Sequence, residues 1–102
     1  MRIPKGVCEM HGKEIISGVI VCLVDHFRAD VLSGRISVED MILGDPHATD
    51  KRELVFPVII QDNYKGNNNL VYTMFPANDK GRITSISGRV LDRDDVNALL
   101  EF

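Results

Sequence analysis

Cys8, His11, Cys22 and His26 spell C-x2-H-x10-C-x3-H, four residues of the types that ligate zinc. On a helix Cys22 and His26 would share one face at i and i+4, so a closed structural site is one reading. Against it, Cys22 stands in Val-Ile-Val-Cys-Leu-Val, where a small buried hydrophobe is expected. A chain of 102 residues also buries enough surface to fold without a metal. No metal or other cofactor is therefore assigned, and a structural zinc protein is the third of three functional readings. His26 has a second use, because Asp30 follows one turn later and would orient the imidazole as a general base requires. No serine or cysteine nucleophile can be placed beside that pair, so a solvated ion pair is the plainer expectation.

Other motifs fail on their spacing. Asp92-Arg93-Asp94-Asp95 starts like a calcium loop, but Val96 and Asn97 stand where an oxygen ligand and glycine are needed. Gly66 and Gly88 are isolated, and neither belongs to a phosphate-cradling loop. The segment Arg82 to Val90 is more informative. As a strand it puts Ser85, Ser87 and Arg89 on one face with Ile83, and Thr84, Ile86 and Val90 on the other. Arg89 beside small hydroxyls would suit a phosphate, a carboxylate or an acidic partner; the plainer alternative is the wet face of an antiparallel sheet. Tyr64 and Tyr72 are the only aromatics expected at the surface, too few for a base-stacking platform.

These residues need elements to position them. Gly6 to Met10 reads as a short first strand. Ile16, Ile20, Leu23, Phe27 and Val31 make the stripe of an amphipathic helix over about 17–33, with Ser17 as its cap and Gly34 as its stop. Ser37 and Asp40, flanked by Ile36 and Met41, announce a second helix through a cap and a hydrophobic staple. Asp92 and Asp95, flanked by Leu91 and Val96, announce a terminal helix by the same device, running to about residue 101. Between them lie three strands, Leu54–Gln61, Leu70–Phe75 and Arg82–Val90, joined by short polar turns as an antiparallel meander. Pro57 lacks the N–H a ladder needs, so its strand is expected at an edge or at a bulge, which also argues against sheet-to-sheet dimerisation. The order β-α-α-β-β-β-α predicts an α+β fold, a two-layer domain with a three- to four-stranded antiparallel sheet packed by helices. Length predicts a single domain over residues 1–102.

Charge and hydropathy bound the function further. Twelve Lys and Arg against fifteen Asp and Glu leave a net charge of -3. Residues 25–50 hold two bases and six acids, whereas residues 51–91 hold six bases and three acids, so the helices are acidic and the sheet block is basic. An anionic ligand would be drawn to the sheet and a basic partner to the helices. The apolar run Ile15–Val24 is about half the length a membrane span requires. Its acidic flanks do not suit a signal peptide. Two cysteines do not make a disulfide scaffold. A soluble, cytoplasmic protein is the expectation, with no membrane partner.

His26 and Arg28, then Gly34-Arg35-Ile36-Ser37, Glu39-Asp40, and the run Arg82-Ile83-Thr84-Ser85-Ile86-Ser87-Gly88-Arg89 resemble the helix–turn–helix opening and the last strand of small toxins of the RelE/ParE/BrnT superfamily. The resemblance spans about a quarter of the chain and implies a ribonuclease paired with an antitoxin. It makes Arg28, Arg35, Arg82 and Arg89 candidates for phosphate contacts. The acid excess weighs against a nucleic-acid partner, since phosphate neutralisation dominates such affinity. The leading expectation is accordingly a small protein that binds a protein partner and has no catalysis of its own, as an inhibitor, immunity factor or regulatory subunit. Its binding residues are drawn from His26, Arg28, Arg35, Arg82, Ser85, Ser87 and Arg89.

Overall fold

A computed structural model describes residues 1–100. Helices α1 (Val7–His11), α2 (Glu14–His26) and α3 (Arg28–Leu32) come first, then a single 3-10 turn at Val38–Asp40. Strands β1 (Ile42–Leu43), β2 (His47–Ala48), β3 (Glu53–Gln61), β4 (Asn68–Pro76) and β5 (Arg89–Val90) follow, and α4 (Arg93–Leu100) ends the described chain. All named strand pairings are antiparallel, in the order β1-β3-β4-β5, with β2 beside β3 on the same side as β1. The α+β class and the helix-packed antiparallel sheet are as the sequence predicts.

Alternation builds the core. Leu54, Phe56, Val58 and Ile60 of β3 and Phe75 of β4 are buried against Ile15, Val19 and Leu23 of α2. Phe56 and Phe75 meet edge to face, ring centroids 5.9 Å apart. The opposite sheet face is treated unevenly. Val55 and Met74 are buried in a second cluster with Leu91, against which Tyr72 and Val96 pack, whereas Ile59 and Leu70 further along the same two strands stay exposed.

Several local expectations are overturned. Gly6–Met10 is not a strand: Gly6 (φ 95°) opens α1, and Gly12 (φ 83°) closes it by donating to the Cys8 carbonyl at 2.8 Å. Two glycines at positive φ bracket a segment too short to show a period, so Val7 alone decides which side is buried. The long helix starts at Glu14, three residues before Ser17, which caps nothing. It breaks at Phe27 (φ -106°, ψ 31°), splitting the apolar stripe between α2 and α3. Ser37 makes no side-chain cap, and the helix after it is only the 3-10 turn, although Ile36 and Met41 are both buried. Pro57 lies in a strand paired on both sides. Its missing N–H faces the break between β1 and β2, where Gly44 donates to the Pro57 carbonyl at 2.7 Å. Gly44 is required there, since a Cβ would come within 2.7 Å of Pro57 Cγ.

The third predicted strand shrinks to Arg89–Val90. Asn78 Oδ1 accepts from the N–H groups of Lys80 and Arg82, Ile83 makes one isolated bridge to Ala77, and the chain then leaves the ladder until Arg89. It passes under α2 instead. A Cβ on Gly18 would stand 2.7 Å from the Ile86 carbonyl oxygen, so two backbones are in close approach there. The turn between β2 and β3 holds one strained residue. Arg52 has φ 59°, a left-handed conformation costing a non-glycine residue roughly 1–2 kcal/mol. The expected terminal helix does form, with Asp92 Oδ1 accepting the Asp95 N–H at 2.8 Å; its expected end at residue 101 lies outside the described residues.

Candidate functional site

A groove of about 340 Å³ runs between α2 and the chain that passes under it. Gly18, Val21, Cys22, Asp25 and His26 form the helical wall, and Ile86 to Val90 form the other. Close helix–loop approach at Gly18 makes the groove, and the helical period brings residues 18, 21, 22, 25 and 26 to the same side. Val21 is 66% exposed and Ile86 51%, so the groove has apolar shoulders facing solvent. Asp25, His26, Ser87 and Arg89 supply its polar rim.

Three expected site residues, His26, Ser87 and Arg89, therefore meet, though not on one strand face. The strand alternation that grouped Ser85, Ser87 and Arg89 does not exist in this irregular stretch. Ser85 is exposed, and its hydroxyl accepts the Ser87 N–H at 3.1 Å, bracing the loop. Arg89 is held by α4, its Nη1 3.0 Å from Asp95 Oδ2, and that pairing holds the Asp95 carboxyl below its ordinary value. Arg82 is exposed on its turn. Arg28 is 3.7 Å from Asp25, both side chains largely exposed. The His26–Asp30 pair does not form: His26 packs edge-on against Phe27, 4.7 Å between centroids, and Asp30 instead lies 4.0 Å from Arg35 Nη1.

Arg35 belongs to a different arrangement. Its Nε and Nη2 both reach Asp62 Oδ2 at 2.9 Å. Asp62 Oδ1 accepts the N–H groups of Tyr64 and Lys65 at 3.0 Å each. The Lys65 N–H and the Arg35 guanidinium, in that order, hold the Asp62 carboxyl below the usual carboxylate range. Around the pair, Asn63 donates to the Gly34 carbonyl and Tyr64 Oη to the Ser33 carbonyl at 2.6 Å. The hairpin turn between β3 and β4 is thus clasped to the turn after α3. Sequence reasoning missed Asp62. The available signal was its place at the head of Asp-Asn-Tyr-Lys-Gly, where an aspartate turns the chain by accepting backbone N–H groups.

Cys8 and Cys22 are free thiols, and burial pushes Cys22 up to about 11. His11 sits edge-on to Phe56, its Nδ1 buried without a partner among the described residues, and burial lowers its pKa. No three His, Cys, Asp or Glu side chains converge on a point among the described residues, so the C-x2-H-x10-C-x3-H set is not gathered. No helix among the described residues is long and apolar enough to cross a membrane. Comparison with protein-family models, curated proteins and solved structures gave no match.

Proposed function

We propose that the chain is a small protein that binds a protein partner and carries no catalysis of its own. The observation that carries this reading is the α2 groove, where exposed Val21 and Ile86 are rimmed by Asp25, His26, Ser87 and Arg89. Exposed apolar side chains set beside polar ones suit a recognition surface, in which a few anchors that become buried on binding supply most of the affinity. Two free thiols accord with a reducing compartment, and we place the pairing in the cytoplasm.

The competing reading, a toxin-like ribonuclease, asks Arg28, Arg35, Arg82 and Arg89 to meet phosphate. Two of these four, Arg28 and Arg35, already pair with carboxylates, Asp25 and Asp62, which favours binding over RNA cleavage. The deciding experiment is affinity capture from the native host with the wild-type chain and with Ile86→Asp, whose site is exposed. One partner retained by wild type and lost by a folded Ile86→Asp variant supports the proposal. Capture indifferent to Ile86→Asp, or RNA cleavage by the purified chain that Arg89→Ala abolishes, overturns it.

A further inference from the structure

A second groove, of about 550 Å³, lies at the end of the sheet behind Arg89. It collects Lys51, Arg52 and Arg89 with Glu53 as its one carboxylate, and adds Ser87. A local excess of positive charge in a chain of net charge -3 is a contrast that focuses anions. Neither Lys51 nor Arg52 forms an ion pair among the described residues, and Arg89 commits only Nη1 to Asp95. Glu53 leans toward Thr49, whose hydroxyl is 3.5 Å from its Oε1.

Backbone geometry singles out the same place. Arg52 occupies a left-handed position at φ 59° that glycine adopts without penalty. Its carbonyl accepts the Ala77 N–H at 2.8 Å, so the ladder itself holds the conformation. The chain therefore carries a strained arginine on a cationic groove, and strain of this kind clusters where a side chain has a task.

We infer that Lys51, Arg52, Arg89 and the Ser87 hydroxyl form a site for a phosphomonoester dianion. Guanidinium and ammonium donors match its oxygens with charge-assisted hydrogen bonds. The site shares Ser87 and Arg89 with the rim of the α2 groove, whereas Lys51 and Arg52 lie outside that groove, so the substitutions that test it are made at Arg52. The phosphate can arrive on a small free ester or on a phosphorylated segment of another protein, and the same titration separates these sources.

Amide chemical shifts of Lys51, Arg52, Ser87 and Gly88 are followed during titration with inorganic phosphate, O-phosphoserine and a phosphoserine peptide. Saturable shifts at these amides are expected with all three. Equal affinity for the two serine probes identifies a free ester, and tighter binding of the peptide identifies a protein-borne phosphate. Arg52→Gly is expected to raise the thermal midpoint by relieving the strain while weakening phosphate binding about tenfold, the loss of one charge-assisted bond. Arg52→Lys should keep most of the affinity. Absence of saturable shifts in the wild type, unchanged affinity in Arg52→Gly, or tighter binding of a short single-stranded RNA than of the peptide each overturns the inference.

Discussion

Gly88→Ala puts the packing of the loop under α2 to a direct test. A Cβ on Gly88 would lie 2.6 Å from Cδ1 and Cζ of Phe75 and closer still to Cε1. The Phe75 ring is fully buried and edge-packed on Phe56, which is fully buried too, so it has nowhere to retreat. Gly88 itself is not among the residues with positive φ, which leaves the steric contact as the cause of any loss. Overpacking a tight core costs about 1–3 kcal/mol, and a ring hemmed in on both sides argues for at least 2. For a domain of this size that corresponds to a thermal midpoint lowered by about 8–16 °C. Urea and thermal unfolding followed by circular dichroism measure it. The cycle with Phe75→Leu is the sharper assay: trimming the ring removes the atoms that clash, so the double variant should lose less than the two single losses added. A Gly88→Ala protein within about 0.5 kcal/mol of wild type, or strict additivity in the cycle, would refute the close approach of Gly88 and Phe75.

Acid should loosen the Asp62 clasp. Because folding lowers this carboxyl, its contribution is complete above about pH 4 and is lost as pH falls through the lowered folded value, so the stability gap between wild type and Asp62→Asn should close in acid. Denaturation curves across that range check the sign, and a gap that widens in acid contradicts it. Cys22, pushed up to about 11, should resist iodoacetamide at pH 8 in the native protein and react once unfolded, as timed alkylation with mass spectrometry will show. Asp92→Ala removes the acceptor for the Asp95 N–H at the start of α4 and should cost about 1 kcal/mol, read from chemical denaturation.

What was legible in the sequence follows the range of the interactions involved. The α4 start was readable because a cap and a staple act within six residues, Leu91 to Val96. The Glu53–Gln61 strand was readable because an apolar run of that length has few alternatives. The segment Arg82–Gly88 has equally good strand composition, yet it forms no continuous ladder. What decides it is Gly18 on a helix more than sixty residues earlier, and no local pattern encodes that encounter. The candidate site divides the same way. His26, Ser87 and Arg89 were picked for their chemistry and do meet, but through helix–loop packing and not the alternation that suggested them. Arg35 was picked for the same reason and is spent on Asp62, a partner 27 residues away. Lys51 and Arg52 entered the sequence reading only as part of a block charge, because the positive φ that singles out Arg52 leaves no mark on its residue type.

Pro57 acts as a ruler for the sheet. Residues 42–43 and 47–48 pair with β3 on either side of it, and Gly44 fits the gap opposite. Sliding β1 or β2 along β3 by one step would set a carbonyl against a nitrogen with no hydrogen to give, or drive a side chain into the pyrrolidine ring. Misregistered pairings are thereby penalised at birth, and the folding chain has one alignment in which that side of the sheet can close.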